Sequence, residues 1–360
     1  MDIDMNINTK TSLTYQKNCF DLLRYYAAFA VVLLHYTGYF AILSARDSSF
    51  LTTARGFVLF YPGVIVLFTI SGFLISASLE HSDSRKQFLK KRFFRLFPEL
   101  WICTLFNLLI LSLLCARSFD QSIVFWLISQ IFGIANTPSC LKDFATGSVN
   151  GALWTIFVEL QLYLVILLFY PLLKKLSHTG WILLFSLSAG INLLLGYCSH
   201  ALPAVLTKLA ERTFFPYALW FLIGMFCYIK RDDLLPILKK ACPYLILIYG
   251  ILFLSVSKQP GYYCGIITGI FCPFITIGLA YRLPAFRIKT DLSYGIFLYH
   301  WIVLNLLVHF HLIDRLYWPI SLFILLAGTL LLAFLSRTLL RFLTKMLRQI
   351  RFPAPFFKNN

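Results

Sequence analysis

Three polar residues set inside otherwise apolar stretches mark where chemistry could lie. Arg24 and His35 are eleven residues apart. At about 100° per residue this is three helical turns plus ~20°, so on a helix both lie on one face, ~16 Å apart along the axis. Glu159 is the acid expected deepest in an apolar run. Glu159 and His35 stand fourteen and fifteen residues from one end of their respective runs. At ~1.5 Å per residue, each then lies about 21–22 Å into a bilayer core of ~30 Å. A charge at the centre of a bilayer costs about 2.5–3.5 kcal/mol, which makes such residues candidates for function. A carboxylate and an imidazole at matched depth can pair, the acid orienting the ring and stabilising its protonated form. Plainer roles compete with these. His35 could be a hydrogen-bonded packing residue, and Arg24 could snorkel to the headgroups beside Asp21 at i,i+3. Glu159 could bond a neighbouring helix. His300, flanked by Tyr299 and Trp301, reads first as part of an aromatic packing cluster.

A second group is basic: Arg85, Lys86, Lys90, Lys91, Arg92 and Arg95. Arg92 and Arg95 are i,i+3 and share a helix face. Pro98 is expected to open the next membrane span at its first helical position. Ordinary cytoplasmic charge accounts for Lys86 and Lys90. Two arginines on one face also suit a phosphate-rich ligand, because guanidinium binds phosphate bidentately. The nine cysteines form no CxxC pair and have no metal-ligand spacing with histidine, so no metal site is expected.

The elements that must carry these residues follow from composition. Of 360 residues, 59% are hydrophobic and 13% charged. That excludes a soluble globular domain, a disordered chain and a disulfide scaffold. The apolar residues run in blocks instead of alternating, which excludes an outer-membrane barrel. The class expected is an all-α polytopic membrane protein, with apolar runs at 20–40, 57–79, 98–116, 151–173, 181–197, 214–229, 243–256, 263–281, 292–312 and 318–336. Residues 1–19 read as a polar cytoplasmic N-terminus, 20–336 as the membrane domain and 337–360 as a basic cytoplasmic tail. No cleavable signal is expected, and the first run reads as a retained signal anchor. With both ends cytoplasmic, 23 Lys and Arg fall in inner segments and 8 in outer ones. This bias fits ten spans and explains the net charge of +17 without nucleic acid. Residues 122–136 are apolar but short, and are expected to be re-entrant or interfacial.

Five segments then carry a resemblance. Asp21-Leu22-Leu23-Arg24 with Val32-Leu33-Leu34-His35 resembles the Arg-x10-His first span of the acyltransferase family 3 membrane proteins. Ser71-Gly72-Phe73-Leu74-Ile75 resembles that family's second-span motif. Lys91-Arg92-Phe93-Phe94-Arg95-Leu96-Phe97-Pro98 is similar to its Arg-x-x-Arg segment. Leu153-Trp154-Thr155 through Glu159 to Tyr163 is similar to its Leu-Trp-(Ser/Thr)-x-x-x-Glu-x-x-x-Tyr motif. Leu292-Ser293-Tyr294 through Tyr299-His300 resembles its late Ser-Tyr … Leu-x-His span. The matches come in family order from about residue 18 to 335. Tyr25 and Tyr26 depart from the small residues usual after the motif arginine. The chain is also expected to be a stand-alone form, without the fused extracytoplasmic esterase-like domain that some members carry.

The resemblance implies an O-acetyltransferase of the bacterial inner membrane, multi-pass. It would take acetyl from cytoplasmic acetyl-CoA to a hydroxyl of an envelope polysaccharide, such as lipopolysaccharide O-antigen or its lipid-linked form, on the outer side. Within it, His35 is expected as base or transient acyl carrier, with Glu159 orienting it and Arg24 holding a phosphate or polarising the thioester. Arg92 and Arg95 are expected on the CoA phosphates, and Ser71 at close helix packing or along the pantetheine path. Trp154 is expected on the sugar or as an interfacial anchor, with Tyr299 and His300 as further substrate contacts. The expected partners are acetyl-CoA, the glycan acceptor and the bilayer, with no metal and no nucleic acid, and oligomeric state is left open. The competing functions are a transporter or flippase of a lipid-linked glycan, or an acyltransferase for another acyl group or acceptor.

Overall fold

A computed structural model describes residues 17–44, 46–114, 120–199, 201–256 and 258–350, with backbone alone at 204 and 347–350. The N-terminal stretch up to residue 16, Arg117 and the tail beyond residue 350 lie outside the described residues. Among the described residues there is no strand. The helices in chain order are α1 (Phe20–Leu43), α2 (Ser49–Phe60), α3 (Gly63–Glu80), α4 (Arg85–Leu114), α5 (Ser122–Ile131), α6 (Trp154–Lys174), α7 (His178–Cys198), α8 (Ala204–Glu211), α9 (Ala218–Ile229), α10 (Arg231–Ser255), α11 (Ile266–Arg282), α12 (Ser293–His309), α13 (Leu312–Arg315) and α14 (Trp318–Ile350).

The chain is a multi-pass helical membrane protein. Seven stretches are long and apolar enough to cross a bilayer, and eight if the bent pair Val205–Glu211 and Phe215–Ile229, turned by 51°, is one span. Each of the ten apolar runs contains a helix, but α11 and α12 have only 17 residues. At ~1.5 Å per residue they reach about 25 Å, short of a ~30 Å core. The short apolar piece near 122–136 forms the 10-residue α5, followed by a turn.

α10 begins at Arg231, ahead of the run expected from 243, and α14 continues to Ile350, past the run expected to end at 336. Two further differences lie at prolines. Pro98 does not open a span, because it lies inside α4, which begins at Arg85. Ser84 starts that helix early. Its Oγ accepts from Gln87 N at 3.2 Å, while Gln87 Oε1 accepts from Asp83 N at 2.7 Å. This near-reciprocal cap satisfies donors that a helix start leaves orphaned. The second difference is the break at Tyr61-Pro62, which divides the run starting at residue 57 into α2 and α3. Pro62 has no N–H and disfavours helical geometry at Tyr61. Tyrosines take up carbonyls freed there. Tyr26 donates to Tyr61 O at 2.6 Å, and Tyr249 donates to Phe60 O.

The described chain divides into two compact units. The first is formed by the chain up to Ala41, Arg46–Leu89 and Trp154–Asp291. In it α3 and α9 cross with backbones nearly touching. A Cβ on Gly72 would stand 2.0 Å from Phe221 O, and one on Gly224 would stand 2.1 Å from Thr69 O. Gly72 is therefore the packing residue of the Ser71-Gly72 motif, since only a glycine permits that approach. At the ends of the same helices Glu80 gathers four partners. Its Oε1 accepts from Tyr170 at 3.0 Å and Lys174 at 2.7 Å, its Oε2 accepts from Tyr228 at 2.9 Å, and Arg231 stands 3.7 Å away. That node ties α3, α6, α9 and α10 together.

The second unit is formed by Ile42–Ala45, Lys90–Leu153 and the described chain from Leu292 on. Here α12 packs on α14, where a Cβ on Gly295 would meet that of Ala333 at 2.8 Å. The loop before α6 is pinned to α12. Trp301 Nε1 donates to Thr146 Oγ1 at 3.1 Å, and Asn305 Oδ1 accepts from Thr146 Oγ1 at 2.6 Å. Asn150 Nδ2 donates to Leu298 O at 2.9 Å.

Candidate active site

In the first unit α1 carries Arg24 and His35, and its entry is fixed first. Asn18 Oδ1 accepts from Phe20 N at 3.2 Å, and Cys19 N donates to Ala280 O at 2.9 Å. Asp21 Oδ2 accepts from Ile288 N at 3.0 Å, which holds the segment after α11 against the start of α1. That segment supplies Asp291. Arg24 Nη1 lies 2.8 Å from Asp291 Oδ2 and 3.2 Å from Asp21 Oδ1, so two carboxylates neutralise it. The i,i+3 pair with Asp21 was legible in sequence, whereas Asp291 was not. The two tyrosines that depart from the family motif brace this geometry. Tyr25 donates to Thr290 O at 3.2 Å, beside Asp291, and Tyr26 donates to Tyr61 O.

His35 is half-buried on the same helix. Glu159 is half-buried on α6, and two hydroxyls hold its carboxylate. Ser71 Oγ on α3 donates to Oε1 at 2.7 Å, and Tyr163, one turn along α6, donates to the same oxygen. Among the described residues the hydrogen-bond partners of Glu159 are these hydroxyls, and the pairing with His35 expected from matched depth is not among them. Depth alone does not set which faces of α1 and α6 meet. Ser71 thus has a definite role, joining α3 to the acid of α6.

Trp154, at the start of α6, is half-buried in an aromatic group. Its ring centroid lies 4.9 Å from that of Tyr217 and 5.5 Å from that of Tyr263. Tyr263 has a positive φ of 65°, in a loop fixed by a buried asparagine that the sequence did not single out. Asn192 Nδ2 donates to Tyr262 O at 3.1 Å and to Pro216 O at 2.8 Å, while its Oδ1 accepts from Tyr262 N at 3.0 Å.

In the second unit Arg92 and Arg95 lie on α4 at i,i+3, the first half-buried and the second exposed. One turn beyond, Glu99 is buried with 4% of its surface exposed, and Arg337 Nη1 lies 3.9 Å from its Oε2. Glu99 is thus an acid more enclosed than Glu159. A span opening at Pro98 would leave Glu99 at its end, whereas α4 carries both residues in its interior. Tyr299 and His300 are completely enclosed on α12, with His300 Nδ1 2.8 Å from Phe297 O. That is the packed setting expected of an aromatic cluster. Among the described residues no group of His, Cys, Asp and Glu could hold a metal ion.

Fold and polar groups together define a multi-pass membrane protein whose intramembrane carboxylate and imidazole stand on separate helices. A family model described as an acyltransferase domain matches residues 17–338, and the chain belongs to that acyltransferase family. It is 33% identical over 160 residues to a protein of Shigella phage Sf6 named O-acetyl transferase. That match covers 42% of this chain and 45% of the phage protein, so the chain spans under half of that relative's length. It is also 25% identical over 320 residues to nodulation protein 10 of Rhizobium leguminosarum bv. viciae, covering 81% of this chain and 84% of that protein. No solved structure matches.

Proposed function

We propose that this acyltransferase moves an acetyl group from cytoplasmic acetyl-CoA to a hydroxyl of an envelope polysaccharide, such as lipopolysaccharide O-antigen, on the outer side of the bacterial inner membrane. The observation that carries this reading is the family match over residues 17–338, which encloses Arg24, His35, Arg92, Arg95 and Glu159 in motif order. The likeness to a protein named O-acetyl transferase favours acetyl over other acyl groups. The Lys and Arg distribution supports ten crossings with both ends cytoplasmic.

In the proposed reaction Arg92 and Arg95 are the residues for the CoA phosphates, Arg24 and Ser71 those for the pantetheine and thioester, and His35 the base. An imidazole nitrogen of His35 takes the proton of the acceptor hydroxyl as its oxygen attacks the thioester carbonyl. The C–S bond breaks, the ester C–O bond forms, and the proton passes from the imidazolium to the departing CoA sulfur. Glu159, held by Ser71 and Tyr163, sets a fixed negative charge in the same unit. Trp154 with Tyr217 and Tyr263 offers aromatic faces to the acceptor sugar.

The test is release of free CoA thiol by membranes given acetyl-CoA, with and without acceptor glycan. Acceptor-dependent release that stops in His35→Ala at equal protein level supports transfer. Glycan crossing the membrane without consumption of acetyl-CoA would instead identify a transporter or flippase.

A further inference from the structure

Cations meet α1 at two levels and are held differently. Arg24 sits between two carboxylates. Arg55, on α2, reaches across to α1 and lays Nη1 3.3 Å from Leu34 O and 3.4 Å from Thr37 Oγ1. Leu34 immediately precedes His35, and Thr37 follows it by two residues. The Thr37 hydroxyl itself donates to Leu33 O at 2.8 Å and Leu34 O at 3.1 Å, so this turn of α1 is tightly bonded. Gly38, three residues after His35 and on its face, leaves room for the guanidinium. A Cβ there would stand 3.2 Å from Nη1. Positions i and i+3 of a helix are ~5–6 Å apart, so Arg55 lies within about one turn of His35.

Both hydrogen bonds of Arg55 go to neutral oxygens through the same nitrogen. Among the described residues no carboxylate forms an ion pair with it. This half-buried cation, held by neutral dipoles, has gained no counter-charge. The Nε and Nη2 donors form the planar edge that binds a carboxylate or phosphate with two parallel hydrogen bonds. The uncompensated charge, the unused edge and the closeness to His35 all suit an anion arriving with the substrate.

We propose that Arg55 anchors an anionic group of the acceptor, a carboxylate on the glycan or a phosphate on its lipid link, and so selects acidic acceptors for the hydroxyl presented to His35. This rests on the reading of His35 as the group that activates the acceptor. Arg55 is then a specificity-determining residue that takes no part in bond making.

The test uses the full-length protein in membranes with labelled acetyl-CoA and three acceptors: a phospholipid-linked glycan bearing uronic-acid carboxylates, the same glycan after carboxyl reduction, and the same glycan on an uncharged lipid. Wild-type kcat/KM for acceptor should fall roughly tenfold to a hundredfold when the recognised anion is removed. A fall on carboxyl reduction alone assigns the carboxylate, and a fall on the uncharged lipid alone assigns the phosphate. Arg55→Gln keeps an N–H for Leu34 O but no charge. It should lose the same factor on the intact acceptor, chiefly through KM, and lose no more when the anion is absent. Arg55→Lys should recover part of the loss, and it carries the comparison if Arg55→Gln does not accumulate. An Arg55→Gln enzyme that discriminates among acceptors as the wild type does, or falls equally on all three, overturns the proposal while acetyl transfer stands. Wild-type membranes that acetylate none of the acceptors overturn the transfer reading, a fully active His35→Ala overturns the role of His35 while transfer stands, and either result overturns this proposal.

Discussion

Replacing Ser71 by alanine, alone and with Tyr163→Phe, tests how Glu159 is held. Both hydroxyls donate to one carboxylate oxygen, Ser71 at 2.7 Å. A hydrogen bond to a charged group contributes about 1.5–3 kcal/mol. Interhelical bonds inside membranes average ~0.6 kcal/mol with a maximum near 1.7. The two ranges overlap at about 1.5 kcal/mol, which we expect for Ser71→Ala, while Tyr163→Phe, within α6, should cost about as much from the charged-group range alone. Losing one hydroxyl lets the carboxylate settle on the other, whereas losing both leaves a half-buried charge without a donor. The double variant should therefore exceed the sum of the singles by roughly 1 kcal/mol. The assay is thermal unfolding of detergent-solubilised protein with acetyl transfer measured alongside. Each single variant should lower Tm by a few degrees, and a 1.4 kcal/mol loss felt in the transition state should lower the rate about tenfold. Single variants that unfold with the wild type, in a cycle additive within ~0.3 kcal/mol, would refute the claim that these hydroxyls hold the acid.

Further outcomes follow from the same geometry. Glu80→Ala strips Tyr170 and Tyr228 of their acceptor and should cost about 2 kcal/mol, while Lys174→Met, at an exposed partner, should cost under ~1 kcal/mol; both are read as Tm in detergent. Gly72→Val drives a side chain into the Phe221 carbonyl and should remove folded protein from the membrane, seen as loss of a monodisperse chromatographic peak, where Ser76→Ala should not. Arg92→Ala and Arg95→Ala should raise KM for acetyl-CoA roughly tenfold with acceptor KM unchanged, and the opposite pattern would move the CoA phosphates elsewhere.

What the sequence made legible is what depends on local pattern. Apolar runs place every long helix, and the i,i+3 spacing places Asp21 beside Arg24. Where sequence failed, a local rule competed with a stronger one or the partner was remote. Pro98 favours a first-turn position, but the cap at Ser84 and Gln87 starts α4 earlier and carries the proline and the buried Glu99 inside it. Asp291 reaches Arg24 across 267 residues, and no periodicity announces such a pair. Depth along two helices put His35 and Glu159 level, but the rotation of α6 gives Glu159 to Ser71 and Tyr163. Arg55 falls in none of the apolar runs, and it is α2 that carries it onto the His35 turn of α1.

The most direct test of the central claim is transfer of radiolabelled acetyl from acetyl-CoA into envelope glycan by membranes carrying wild-type protein or His35→Ala at equal abundance. The account predicts label in glycan with the wild type and none above background with His35→Ala. Equal label in both would contradict it by removing His35 from the chemistry.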